Sequence, residues 1–367
     1  MTTTFPVLRL PYPVLMLVLE QMELLERISL SILSKQARMY VKLLKMKINY
    51  IDSKLRYDTI EMEVFLDNRE TFELELYTSG YVELRYREDI FLCNTMGVHP
   101  MDYAVSIMDV LHCKSIYFFR IAEISPCDVL PLLVNLPKIE RVVVPSDLSA
   151  FSLVDPRLLK ALRIVLPVAS TVTVPHFFLL KYHREILQRN FDAVKVRDNW
   201  VEDDVLNRKV KFSLNNLKMT NAKTLELYNV LIDFKDLNRY FKLWMKKKSN
   251  PRLEYLKVWR NGSVNKDLLL KGLNAVPVPI ETKREFRILG HVEQLRSSDE
   301  ETSAEFDITR EDDRRATIIS NRDNSIHFYV WPESDNDTTN IEPNQSLFMR
   351  LFSWVSTFYN SCIDRFK

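Results

Sequence analysis

The side chains in this chain that could bind a metal ion or attack a substrate are few and scattered. The nearest set is Cys93, His99, His112 and Cys113, and its spacing matches no zinc motif. No GxSxG or HExxH motif occurs, and the five glycines form neither GxGxxG nor a phosphate-binding loop. We therefore expect no metal, no cofactor and no catalysis by this chain itself.

Charge and cysteine usage narrow the range of partners. The 367 residues include 51 basic and 49 acidic side chains, a formal charge of +2, which provides no global field for nucleic acid or an anionic membrane. The four cysteines form no CxxC pair, as expected of a reducing compartment. We expect a protein of the cytosol or nucleus that binds neither nucleic acid nor membrane, although an apolar helix near the C-terminus leaves membrane anchorage as an alternative.

The first element that could position a binding surface is residues 5–45, predicted to form three short helices. Leu10-Pro11 opens the first helix and Ser34 is the expected N-cap of the third. The apolar stripe is wider than one core-facing side requires. A unit of about 40 residues is close to the size limit for independent folding, so this exposed apolar surface predicts a permanent partner.

Residues 47–87 change to the alternating pattern of half-buried strands. The runs EMEVFL, TFELELY and YVELRY alternate apolar and polar residues. Asp67-Asn68 and Ser79-Gly80 are typical turn formers between them. The pattern predicts antiparallel hairpins that couple the first helices to the rest of the chain.

A strand motif of the order LxxLxLxxN recurs over residues 113–275. The clearest copy is Leu253-x-x-Leu256-x-Val258-x-x-Asn261, and the central apolar positions 116, 142, 165, 194, 225 and 256 recur at intervals of 23 to 31 residues. Helical patterns lie between them, as in 234–244, where Asp233 is the expected N-cap. The repeats predict stacked strand-and-helix units that share one core. A compact α/β domain with coincidental strand spacing is the alternative.

The predicted fold class is therefore α+β or α/β, in six segments. These are a three-helix head at 1–46, a β-rich coupling segment at 47–112, an irregular leucine-rich-repeat-like β-α solenoid at 113–275, a closing β segment at 276–332, a linker at 333–346 and a C-terminal helix at 347–367.

The head resembles an F-box, in particular that of the nematode F-box group. The resemblance rests on Leu10-Pro11, Leu15, Val18-Leu19, Met22, Leu25 and Leu33-Ser34-Lys35. Glu23-Leu24 stands where many members have Asp-Pro, and Gln36-Ala37 where many have a basic-aromatic pair. The resemblance implies docking onto a Skp-type adaptor and, through it, a cullin.

The later repeats resemble the type-2 F-box-associated domain. The matching residues are Asp236-Leu237-Asn238, Phe241, Trp244, Asn250-Pro251 and Leu253-Glu254-Tyr255-Leu256, and 306–332 is similar to its closing segment. Asp312-Asp313 stands where members commonly carry Asp-Gly. The resemblance implies a domain that recruits a protein substrate.

Two candidate surfaces follow from these patterns. The predicted adaptor contacts are Leu10, Pro11, Leu15, Val18, Leu19, Met22, Leu25, Ile28 and Leu33. Side chains alternate along a strand, so the residues that point away from Leu225, Leu227, Leu256 and their equivalents share one face. The predicted substrate contacts on that face are Lys195, Arg197, Glu226, Tyr228, Lys257 and Trp259.

Two functions compete at this point. The first is a non-catalytic substrate receptor of a Skp-cullin-F-box ubiquitin ligase. The second is a stand-alone repeat scaffold for protein interactions, in which the head only caps the repeats. They differ in whether the apolar stripe of the head is exposed or folded against 47–87.

Overall fold

A computed structural model of the chain describes residues 7–95, 97–124, 129–144, 156–175, 184–197, 211–259, 263–278, 283–289, 291–296 and 302–332. One compact unit extends as far as Trp331. The predicted linker at 333–346 and the predicted helix at 347–367 lie outside the described residues.

Three helices form the N-terminal head. After a 3-10 turn at Val7–Arg9 come α1 (Tyr12–Gln21), α2 (Leu24–Leu33) and α3 (Lys35–Leu43). The Glu23 N–H donates to the Glu26 carboxylate at 2.9 Å, so a capping interaction starts α2 without the usual proline. Ser34 accepts from the Ala37 N–H at 3.3 Å and starts α3, as the sequence predicts.

The rest of the described chain alternates strands and helices. In order these are β1 (Ile48–Tyr57), β2 (Thr59–Leu66), β3 (Thr71–Tyr77), β4 (Tyr81–Tyr86), β5 (Asp89–Asn94), α4 (Pro100–Val110), β6 (Ser115–Ile124), β7 (Lys138–Val143), α5 (Pro156–Val165), β8 (Ala169–Val174), β9 (Ala193–Val196), α6 (Leu214–Met219), β10 (Thr224–Tyr228), α7 (Phe234–Met245), β11 (Tyr255–Trp259), α8 (Lys266–Leu270), β12 (Val276–Pro277), β13 (Lys283–Ile288), β14 (His291–Arg296), β15 (Thr302–Thr309), β16 (Arg315–Asn321) and β17 (Ser325–Val330).

Apart from the separate hairpin β13–β14, these strands form one mixed sheet. Its order is β12-β15-β16-β17-β11-β10-β9-β8-β7-β6-β1-β2-β3-β4-β5. Neighbouring strands from β1 through β6 to β11 run parallel, whereas β2–β5 at one end and β17, β16 and β15 at the other are antiparallel. The chain is thus α+β, with a large mixed sheet after the N-terminal helices.

The core lies on the face of the sheet that the helices cover. Buried apolar residues stand directly opposite one another on successive parallel strands, namely Phe119, Val142, Val172, Val194, Leu225 and Leu256. From α7, Leu237, Phe241 and Trp244 are fully buried against this face, and the Trp244 ring lies 5.1 Å from that of Phe328. Strand and helix therefore bury their apolar sides together, as the repeat pattern predicts.

One predicted repeat strand is wrong. The pattern around Leu162 and Val165 belongs to α5, in which Leu158, Ala161, Leu162 and Val165 are buried at helical spacing. The strand of that unit is β8, a few residues later, and Val172 occupies its central position. Short apolar runs fit both periods, so helix and strand are not separable there by pattern alone. The leucine-rich-repeat-like solenoid itself stays a prediction.

The face of the sheet opposite the helices is called the open face below. Near its β17 end, a second and smaller core forms under β13. The Phe286 ring lies 4.6 Å from that of Tyr329 and 5.7 Å from that of Trp331. Among the described strands, the open face of β1–β5 and of β6–β10 has no helix packed over it.

Candidate interaction surfaces

Three of the predicted adaptor contacts are core residues of the head. Leu15, Leu19 and Ile28 are at most 1% exposed and belong to the main hydrophobic cluster. Their assignment as surface contacts is corrected, because a partner cannot touch them unless the head opens. The physical reason is that a three-helix unit must use the middle of its apolar stripe for its own core.

The remaining predicted contacts lie nearer the surface. Leu10, Val18, Met22 and Leu25 are half-buried, Pro11 is exposed, and Leu33 is 65% exposed. Large apolar side chains that the prediction omitted are exposed beside them, namely Tyr12, Val14, Leu17, Met39 and Leu43. The signal that could have found them is the width of the apolar stripe, since whatever the head core does not cover must face outward.

An apolar depression of about 410 Å³ lies on the outer side of α1. Its walls are Val14, Leu17, Val18, Gln21, Met22 and Glu26. Leu17 is 61% exposed at its rim. Most of this lining is aliphatic, so an apolar side chain of a partner fits it.

The head is fixed to the body through α3 and α4. Lys42 Nζ lies 2.6 Å from Asp109 Oδ1, and the His112 ring contacts the Lys42 carbonyl oxygen at 3.0 Å. Helix α2 packs on α4, β4 and β5. The head therefore turns its α2 side towards the coupling segment and leaves the outer side of α1 uncovered within the described residues.

The predicted substrate contacts converge on the open face of β9, β10 and β11. The parallel register places Glu226 between Lys195 and Lys257, and Tyr228 beside Trp259. Arg197, just after β9, is exposed. The predicted alternation of side chains is observed, because Leu225, Leu227, Leu256 and Val258 are buried on the other face.

Glu226 is the centre of this set. Lys195 Nζ lies 2.6 Å from Oε1 and the Tyr228 hydroxyl donates to Oε2 at 2.8 Å. Burial alone would raise the pKa of Glu226, but the Lys195 charge and hydrogen bonds, helped by Tyr228 and Lys257, lower it. Burial and the Glu226 carboxylate raise the pKa of the Tyr228 hydroxyl. Glu226 is thus a buried, ionised and saturated anchor, not a free contact.

Two cations remain on this surface without a carboxylate of their own. Arg197 lies 5.8 Å and Lys257 5.3 Å from the centre of the Tyr228 ring. Neither forms a salt bridge among the described residues. Among the described residues, the charges of Lys195 and Glu226 cancel and a positive excess remains around the Tyr228 ring.

The residues of the second motif support the scaffold and not this surface. The Asn238 side chain donates to the carbonyls of Leu269 at 2.8 Å and Lys271 at 3.0 Å. The Asn250 side chain donates to the Ala222 carbonyl at 2.7 Å. These buried amides tie one unit to the next, so the motif identifies an architecture and leaves the partner unspecified.

Two of the four residues considered above for metal binding, His99 and His112, form contacts that hold the fold together. His99 caps α4 by accepting from the Met101 N–H at 3.2 Å, and His112 contacts the head. In the part of the chain that the structure describes, no group of three or more His, Cys, Asp or Glu could hold a metal ion. None of the helices in that same part is long and apolar enough to cross a bilayer.

Comparison with known families gives two matches. Residues 7–49 match the family described as F-box domain, and residues 182–258 match the family described as F-box associated. The first includes the three helices of the head, and the second includes β9, β10 and all of β11 except Trp259. No curated protein and no solved structure matches the chain.

Proposed function

This chain is an F-box protein with an F-box-associated domain in its C-terminal part, and from that premise we propose that it is a substrate receptor of a Skp-cullin-F-box ubiquitin ligase. The presence of both domains on one chain is the observation that carries the proposal. The first domain supplies a site for the adaptor and the second a site for the target. The chain positions the target and leaves the bond chemistry to the rest of the complex, in the cytosol or nucleus.

We assign adaptor binding to the apolar residues around the outer side of α1. On or next to α1 they are Leu10, Pro11, Val14, Leu17, Val18 and Met22, of which Val14 and Leu17 were not predicted, and we include the predicted Leu25 and Leu33 of α2. Burial of one exposed leucine contributes roughly 2 kcal/mol, so a few such contacts suffice for a stable complex.

We assign target binding to the open face of β9–β11. Arg197 and Lys257 flank the Tyr228 ring and form no salt bridge among the described residues, and Trp259 lies next to Tyr228 in register. Aromatic and arginine side chains are the usual anchors of protein interfaces. The positive excess favours an acidic segment of the target. We further propose that the parallel units stack as an irregular solenoid, whose side-by-side strands form this surface.

Co-purification of the full chain with a Skp-type adaptor tests the adaptor half. In the variant Val14→Asp with Leu17→Asp, two charges enter the apolar depression, and we expect the bound adaptor to fall by more than about tenfold. Val276→Asp is the matched control, because Val276 is exposed to a similar degree on β12. Arg197→Ala with Lys257→Ala should also keep the adaptor.

The outcomes separate the two functions. Equal adaptor recovery by all variants would mean that the α1 surface is not the site. No recovery even by the unaltered chain, in its folded state, would favour the stand-alone scaffold.

A further inference from the structure

The open face has a different character over β1–β3. Asp52, Glu63 and Glu73 stand directly opposite one another on these three neighbouring strands. None of the three forms a salt bridge among the described residues. Other carboxylates nearby are paired, since Glu75 lies 3.2 Å from Arg85 and Glu61 lies 3.7 Å from Arg56. Arg85 stands opposite Glu73 on β4 but is bonded to Glu75 and Glu83, and the three carboxylates are here called the carboxylate row.

This row reduces the stability of the fold. Like charges directly opposite on neighbouring strands are destabilising. Asp52 is half-buried and its Oδ1 has no hydrogen-bond partner. Burial and the Glu63 charge raise the pKa of Asp52 to about 6, and burial and Glu73 raise the pKa of Glu63. A cation bound over the row would remove this cost.

The row borders a depression that could receive a chain segment. Its volume is about 320 Å³, and the cations Lys54 and Arg120 also line it. Neither these residues nor the carboxylates form a group that could hold a metal ion. The carboxylates are suited to a charged hydrogen-bond donor, such as the side chain of lysine or arginine.

Two exposed aliphatic residues lie on the same face at the sheet edge. Ile90 is 64% and Leu92 58% exposed, and their cross-strand partners Arg85 and Glu83 also face this side. Strands are about 4.8 Å apart, so β5 lies about 19 Å from β1. An extended segment of about six residues spans that distance.

We propose that the open face of β1–β5 docks an extended segment of a partner protein, with an aliphatic side chain over Ile90 and Leu92 and lysine or arginine over the carboxylate row. Facing side chains recur every second residue of an extended segment, which gives the order aliphatic, basic, basic. Opposite charge, the uncovered face and the aliphatic edge all select this chemistry. The proposal does not depend on adaptor binding.

The test uses a fluorescein-labelled peptide with leucine, lysine and lysine at every second position and serine between them. Its binding to the full chain is measured by fluorescence anisotropy. We expect Glu63→Gln with Glu73→Gln to weaken binding about tenfold, because two exposed ion pairs are lost. Ile90→Ser with Leu92→Ser should weaken it by a similar factor. Glu311→Gln with Asp313→Asn, two exposed carboxylates at the β15–β16 turn, should change nothing.

A charge exchange distinguishes a specific surface from general attraction. The variant Glu63→Lys with Glu73→Lys should no longer bind the lysine peptide and should bind the peptide in which glutamate replaces lysine. The proposal is overturned if the folded unaltered chain does not bind the lysine peptide, if the control pair weakens binding as much as the row, or if the exchange brings no gain. It is also overturned if Ile90 and Leu92 only join two copies of the chain, which size-exclusion chromatography would show.

Discussion

Two parts of the open face use charge in opposite ways. On β9–β11 the register alternates Lys195, Glu226 and Lys257, and the central carboxylate is saturated by its neighbours. On β1–β3 the register lines up Asp52 and two glutamates, which have no ion partner among the described residues.

The difference shows that the buried charge of β9–β11 is neutralised within the sheet, whereas the carboxylates of β1–β3 are not. The β9–β11 network stabilises its own strands and presents only the excess cations Arg197 and Lys257. The carboxylate row destabilises the free protein, and proteins retain such costs where function requires them. Removal of a charge should therefore destabilise the protein on β9–β11 and stabilise it on β1–β3.

Truncation of a core side chain beneath each part should lower the stability most, and by a similar amount in the two parts. Leu256 and Leu74 lie under the two parts, and each is 1% exposed. We expect Leu256→Ala and Leu74→Ala each to lower the free energy of unfolding by about 2 to 5 kcal/mol, as cavities in a packed core do. Urea denaturation of the full chain measures both. If the two losses of stability differ widely, the difference between the two parts also involves the core beneath the open face.

Removal of Lys195, the cation of the paired part, should have the next largest effect on stability. Lys195→Met leaves the Glu226 carboxylate buried with the Tyr228 hydroxyl and the more distant Lys257, at a cost of about 3 kcal/mol at pH 7. The double variant Lys195→Met with Glu226→Gln should recover most of that loss, since no buried charge remains. If the single variant were as stable as the parent, the pair would contribute nothing and the comparison would fail.

Removal of charge from the unpaired part should have the opposite sign. Because the pKa of Asp52 is about 6 in the folded protein, against 3.8 for an ordinary aspartate, its ionisation costs stability above pH 6, by about 2 to 3 kcal/mol. The groups that face it are Glu63 and Arg120 on the neighbouring strands. We expect Asp52→Asn to raise the free energy of unfolding at pH 7.5 by about that amount.

The pH dependence makes the Asp52 result specific. The folded state binds the proton more tightly than the unfolded state, so the cost declines as pH falls from 6 to 4. Thermal melts should therefore show a gain for Asp52→Asn at pH 7.5 that disappears near pH 4. A gain that is the same at both pH values would indicate better packing of the amide and not relief of charge.

Local patterns predicted much of this molecule. Ser34 and the apolar stripe defined the third helix and the head, and alternation in 47–87 defined antiparallel strands. The spacing of Val142, Val194, Leu225 and Leu256 identified β7, β9, β10 and β11, of which the last three lie side by side. The helix over Leu162 was missed because four apolar residues at spacing three and four also satisfy a strand motif over a short run.

The predicted adaptor contacts fall into buried and exposed residues for a related reason. The sequence shows that Leu15, Leu19 and Ile28 are apolar, and the same holds for the exposed Leu17 and Leu33. Which of them a partner can reach depends on how α1, α2 and α3 cross and on where α2 meets β4. When a helix is apolar on two sides, the spacing of its apolar residues does not tell which side faces the core and which faces outward.

The sequence by itself identified the F-box and the F-box-associated domain and the alternation of inward and outward residues on β9–β11, because these are properties of residue order within one element or one motif. Only the tertiary structure decided that β1 joins β6 in parallel and that Asp52, Glu63 and Glu73 meet with no salt bridge among the described residues. Cross-strand neighbours are set by register between segments that are distant in sequence, and the energy of a charge depends on those neighbours and on its burial.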